Sequence, residues 1–125
     1  MSRRKRFQQP FDRRGSVVVV GIHLLKSRQF LSLMSQAKVL MLLLLQHWRS
    51  DKPVAYGIRE AAEKIPCDRR TAMKAFDQLM ERGFVTMVDY STFCSRTESK
   101  SRTWKLEWMP FNDKPPSNLW EEDRQ

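Results

Sequence analysis

The sequence predicts an α+β fold, mostly α, in which a three-helix core is closed by a C-terminal β-hairpin. Three observations carry that expectation. Apolar residues recur at helical spacing in three separate stretches between Ser35 and Glu81. Strong punctuation divides those stretches, at Asp51-Lys52-Pro53, Pro66 and Gly83. Two runs with strand character, Phe84–Tyr90 and Thr103–Trp108, follow them. A chain of 125 residues accommodates one such domain with short tails and is too short for two.

The elements follow in order. Residues 1–15 are basic and carry Gln and Pro, so they read as a flexible arm. Ser16–His23 is rich in β-branched valines and fits a short strand. Leu24–Leu33 is amphipathic and fits a helical turn or two. The first long helix spans 36–49, with Ser35 available as its N-cap and Ala37, Leu40, Met41, Leu44, Leu45 and Trp48 at helical spacing. Val39, Leu42 and Leu43 make it apolar on its other sides too, so something must cover it: the N-terminal segment, a second subunit, or both.

A shorter helix carries Ile58, Ala61, Ala62 and Ile65 on one narrow face, and Pro66 stops it by disfavouring the α region for Ile65. Asp68 then caps a third helix with Ala72, Ala75, Phe76 and Leu79 inward, and Gly83 is placed as its C-terminal cap. Small alanines on both facing sides let these two helices cross closely. Phe84–Tyr90 and Thr103–Trp108 form the hairpin, with polar, basic Ser91–Arg102 between them. Trp104 and Trp108 share a strand face and read as core or interface. The expected division is a flexible arm at 1–15, one domain at 16–109 and an irregular, Pro-rich, acidic tail at 110–125.

Helix, short helix, tight turn, helix and hairpin is the order of a winged helix-turn-helix, in which the second helix of the pair enters the DNA major groove and the hairpin is the wing. The charges agree with that reading. Twenty-three Lys and Arg against fourteen Asp and Glu leave a net charge of +9, which favours polyanionic partners. With a step of about 100° per residue, Arg70, Lys74, Asp77 and Glu81 fall opposite the core face of the third helix. Its outward side is therefore basic in the first two turns and acidic afterwards, a gradient that suits entry into the groove by the N-terminal end. Arg70 is the candidate base reader, because a guanidinium donates two bonds to guanine. Lys74 reads a base or a phosphate. Arg59, Arg69 and Thr71 are candidate phosphate contacts. Arg96, Lys100 and Arg102 in the wing, with Arg3–Arg6, Arg13 and Arg14 in the arm, would add salt-sensitive affinity. A charged helix face also suits mere solvation, and the basic arm equally suits a solubilising tail.

The motif Ile58-Arg59-Glu60-Ala61-Ala62-Glu63-Lys64-Ile65, followed by Asp68-Arg69-Arg70-Thr71-Ala72-Met73-Lys74-Ala75-Phe76-Asp77-Gln78-Leu79 and by Glu81-Arg82-Gly83-Phe84-Val85, resembles prokaryotic winged helix-turn-helix domains. The likeness is to the kind found in phage- and plasmid-associated proteins and some replication initiators, and Trp104-Lys105-Leu106 with the Pro-rich end looks like the closing strand of that group. It spans roughly 22–120 and is strongest from 35 to 90. Two positions depart from the pattern. Pro66 stands where the turn glycine is usual, and Gly57 where a capping serine is common. The resemblance implies double-stranded DNA binding as a transcriptional regulator or a replication-associated protein.

Other functions find little in the sequence. Two cysteines, Cys67 and Cys94, and two distant histidines, His23 and His47, give neither a disulfide framework nor a metal set, so no cofactor is expected. Cys67 reads as a plain thiol, with a redox switch as the alternative. No nucleophile–base pair, acid pair or glycine-rich loop is visible, so no catalysis and no small-molecule ligand are expected. The longest apolar run, Val39–Leu45, is far too short for a membrane span, and no signal-peptide pattern follows Arg3–Arg6. The expected setting is cytoplasmic and nucleoid-associated. Two other readings stand beside DNA binding: a protein-interaction module working through its apolar first helix, and RNA binding through the arm and the aromatic strands. Under the DNA-binding reading too, the all-round apolar helix 36–49 points to a homodimer.

Overall fold

In the computed structural model, which describes residues 15–122, the helical spacings become five helices and the β-rich runs a three-stranded antiparallel sheet. The helices are α1 (Ile22–Lys26), α2 (Arg28–Leu31), α3 (Ser35–Gln46), α4 (Ile58–Lys64) and α5 (Arg69–Glu81); the strands are β1 (Val54–Ala55), β2 (Val85–Cys94) and β3 (Ser99–Leu106). This is the expected α+β class. The basic stretches Arg3–Arg6 and Arg13-Arg14 and the last tail residues lie outside the described residues.

Helix α3 is the centre of the interior. Ala37, Leu40, Met41, Leu44 and Leu45 are buried, the i, i+3, i+4, i+7, i+8 stripe of a helix packed on one broad face. Val39 and Leu42 on its other side stay exposed. Two boundaries differ from expectation. The N-cap is Met34, not Ser35, and its N–H is taken by the side-chain amide oxygen of Gln78 on α5 at 2.8 Å. The helix ends at Gln46, where the N–H groups of His47 and Trp48 fold onto the carbonyls of Leu44 and Leu45. Trp48 thus leaves the helix, and its indole N–H donates to the carbonyl of Pro110.

Helices α4 and α5 behave as their alanines suggest. Ala61, Ala72 and Ala75 are wholly buried, and with Phe76 and Leu79 they fill the space beneath α3. Ile65, however, keeps right-handed helical dihedrals, and its bond to Pro66 is cis. The helix ends for a different reason: Pro66 has no N–H to offer the carbonyl of Ala62, and Cys67 N–H takes that acceptor instead, at 2.8 Å. Gly57 caps α4 without a side-chain bond, as its lack of a hydroxyl requires.

Helix α5 closes as expected. Gly83 adopts φ +80°, Gly83 N–H bonds the carbonyl of Met80, and Phe84 N–H bonds that of Leu79, the paired closure of a Schellman motif. A Cβ on Gly83 would also stand 3.0 Å from the backbone of Leu119. Gly83→Ala should therefore destabilise by more than the ~1–2 kcal/mol of left-handed strain alone, read as a lowered urea midpoint at unchanged slope.

The sheet runs in the order β1-β3-β2. Strand β1 was not legible beforehand; Val54 and Ala55 pair with Trp104 and Thr103. The hairpin is longer than expected, because Thr92–Cys94 pair with Ser99–Ser101 and leave only residues 95–98 as the turn. Two irregularities interrupt the β2 side of the ladder, between Met87 and Asp89 and between Asp89 and Thr92. Trp104 joins sheet to helices. Its ring stacks on Phe76 at 4.5 Å, and its N–H donates to the carbonyl of Tyr56 at 2.8 Å.

The two ends depart from the reading of the sequence. Ser16–Val20 is not a strand and belongs to no regular element, and Val17, Val18 and Val19 are exposed. β-branched residues supply strand propensity, but no neighbouring strand offers them a ladder. At the other end, the tail expected to be irregular is packed and carries a 3₁₀ turn at Leu119–Glu121 and a bridge between Phe111 and Lys114. Trp120 is buried and stacks on Phe84 at 5.6 Å, and Asn118 N–H bonds the carbonyl of Glu107. Glu121 then reaches back to α1 and α2, through His23 Nε2 at 3.0 Å and the side-chain amide of Gln29.

Candidate functional site

The start of α5 is set by Asp68. Its carboxylate accepts the N–H of Thr71 at 2.8 Å and so satisfies one of the donors that a helix N-terminus leaves open. The bonds from the Thr71 backbone and side chain hold the Asp68 carboxyl below its ordinary range. Because that pKa is lowered on folding, the cap's contribution is present above the unfolded carboxylate range and is lost as pH falls through the lowered value. Thr71 itself is half-buried and engaged in this cap, which leaves it less free for a phosphate than its position in the sequence implies.

Burying Ala72, Ala75, Phe76 and Leu79 turns the opposite side of α5 outward. Arg69, Arg70, Lys74, Asp77 and Glu81 are all exposed, in the expected order of basic turns before acidic ones. Among the described residues, Arg69, Arg70 and Lys74 form no ion pair, so their charges face solvent and the open end of the helix dipole. Met73 stands among them and is 44% exposed. Reading the charges alone passed over it, although its position three residues after Arg70 marks it as outward. An apolar group there suits contact with a thymine methyl.

A second group lies between α4 and the hairpin, which border an open cleft of about 960 Å³ lined by the cations Arg59, Arg96 and Lys100, by the carboxylates Glu60 and Glu63, and by His47 and Tyr56. Arg59 and Lys100 are exposed. Arg96 is differently placed. Its guanidinium makes two bonds to the Glu60 carboxylate, at 2.7 and 3.1 Å, donates to the carbonyl of Ala55 and lies 5.4 Å from the centre of the Tyr56 ring. The Arg96 charge is therefore neutralised by Glu60, which is only 12% exposed. Arg96, which the sequence suggests as a basic wing contact, is thus engaged within the protein, and its side chain ties the turn of the hairpin to α4. Arg96→Ala should destabilise the protein by roughly 1–3 kcal/mol by leaving the Glu60 carboxylate without its partner, a loss visible in denaturant melts.

The same contacts set the titration of His47 and Tyr56 in this cleft. Burial first, and the Arg96 charge second, lower the His47 pKa. Burial and the neighbouring Glu60 push the Tyr56 hydroxyl up to about 12. Burial and Asp68 raise the Cys67 thiol, which works against a thiolate at the head of α5. Among the described residues no group of three or more His, Cys, Asp or Glu side chains is arranged to hold a metal ion, and no helix is long and apolar enough to cross a membrane.

The third group is on the hairpin. Lys100 is exposed, and Arg102 is half-buried with its guanidinium 5.2 Å from the Tyr90 ring. Tyr90 and Phe93 are 71% and 63% exposed, whereas Trp104 and Trp108, the aromatic residues singled out in the sequence, are buried. The structure thus gathers Arg69, Arg70 and Lys74 on α5, Arg59 and Lys100 beside the cleft, and Arg102 on the hairpin, while Arg96 is paired with Glu60. No protein-family model, curated protein or solved structure matches the chain.

Proposed function

We propose that the chain is a winged helix-turn-helix protein that binds double-stranded DNA and not an enzyme. In this reading α3, α4 and α5 are the three-helix core, α5 is the recognition helix and β2–β3 is the wing. The observation that carries it is the exterior of α5: Arg69, Arg70 and Lys74 are exposed in its first two turns and form no ion pair among the described residues, with the carboxylates Asp77 and Glu81 held back to later turns. Arg70, Lys74 and Met73 face base edges, while Arg59, Arg69 and Lys100 meet phosphates and set the docking. The role is that of a transcriptional regulator or of a plasmid- or phage-type replication protein, working beside DNA in the cytoplasm. A titration of duplex DNA against salt tests the electrostatic part. Three to five phosphate contacts give a slope of about −3 to −5 in log K against log salt; a slope near zero would remove the basis of the reading.

One observation favours a second reading, an interaction module or homodimer. Val20, Leu25, Val39 and Leu42 line an apolar groove beside α3, and Val17–Val19 and Ile22 are exposed. In that case Leu42→Glu, and not charge reversal on α5, would disable the protein.

A further inference from the structure

The exposed aromatic rings of the hairpin share a face with its cations. In an antiparallel ladder, paired residues point the same way, and residues two apart on one strand share a side. Phe93 pairs with Lys100, so these two side chains stand together. Arg102 lies two residues beyond Lys100 on β3 and holds Tyr90 at 5.2 Å. Trp104, two residues further along the same side, stacks on Phe76 of α5. Phe93, Lys100, Tyr90 and Arg102 therefore continue, past the core, the same side of the sheet on which α5 lies. The ladder's one carboxylate, Asp89, pairs with Thr103 and so belongs to the other side.

A face with two exposed rings, two cations and no carboxylate from its own ladder is complementary to a polyanion that also offers flat apolar surfaces. Nucleic acid with unpaired bases has both: bases stack on aromatic rings with little regard to sequence, and phosphates take the cations. An intact duplex keeps its base faces covered and leaves the rings without partners. We propose that Tyr90 and Phe93 stack on unpaired bases while Lys100 and Arg102 hold the adjoining phosphates, so that the protein prefers DNA with a locally opened segment over continuous duplex. The inference rests on the DNA-binding reading and specifies its substrate.

The test compares a short duplex with the same duplex carrying a central run of mismatched bases, by fluorescence anisotropy at one fixed salt concentration. The wild-type protein is expected to bind the opened DNA at least tenfold more tightly. Phe93→Ala and Tyr90→Ala should each lower affinity for the opened DNA by about tenfold, the size of one base–aromatic stack, and change affinity for the intact duplex by less than about twofold. Phe93→Trp should restore the preference. Both rings are exposed, so the variants keep the fold, and matching urea melts check this. Equal wild-type affinity for the two DNAs, or equal losses on both in the alanine variants, would overturn the proposal while leaving duplex binding through α5 intact. Failure to bind either DNA would overturn the DNA-binding reading and this inference together.

Discussion

Reversing the two outermost charges at the start of α5, Arg70→Glu with Lys74→Glu, should lower DNA affinity by at least about 100-fold at constant salt. Each good bidentate base contact is worth roughly 1–3 kcal/mol of discrimination, and a carboxylate in its place adds repulsion from the phosphates. The fold should survive, because both side chains are exposed and form no ion pair among the described residues. A glutamate at position 70 even sits in the first turn, where the helix dipole favours an anion. The variant should therefore melt within about 0.5 kcal/mol of the wild type, as surface changes usually do. Binding measured beside urea denaturation separates the outcomes: a folded variant with full DNA affinity would take α5 out of the interface.

The largest effect on stability is expected from Trp104→Ala, at about 3–5 kcal/mol, the range for truncating a buried Phe or Trp. Trp104 is wholly buried and joins helix, strands and loop: it stacks on Phe76 of α5, pairs with Val54 of β1 and Met87 of β2, and donates to the Tyr56 carbonyl. Truncation leaves a cavity between sheet and helix and deprives a buried carbonyl of its donor. Against a typical total of about 5–15 kcal/mol, that loss is a large fraction. A urea midpoint displaced by less than 1 kcal/mol in free energy (an order-of-magnitude threshold) would contradict the part assigned to this residue. Tyr90→Ala, on the exposed face of the same hairpin, should leave the midpoint nearly unchanged.

What was legible in the sequence was local. The Asp68 cap, the Ala72/Ala75/Phe76/Leu79 stripe and the Gly83 closure all lie within a few residues of the groups they satisfy, and each formed as expected. Distant partners were not legible. β1 is two residues long and exists because β3, some fifty residues later, offers it a ladder. Arg96 reads as a free cation until Glu60, on another element, is placed beside it. The valines of Ser16–Val20 have strand propensity but no strand to pair with, and the Pro-rich end packs because Trp120 finds Phe84. For the candidate site, the α5 cations were visible as a helical face. The exposed ring of Phe93 was hidden inside a stretch whose polar composition resembled a loop, and that of Tyr90 ended a run read only as strand.

Selection from a random duplex DNA pool, read at two salt concentrations with the wild-type protein and the Arg70→Glu/Lys74→Glu variant in parallel, separates base recognition by α5 from diffuse electrostatic attraction. An enriched sequence is expected that persists at the higher salt for the wild type and vanishes for the variant. Retention without enrichment, lost with salt and equal in both proteins, would mean that the positive charge acts only as a diffuse attraction and would contradict recognition of DNA by α5.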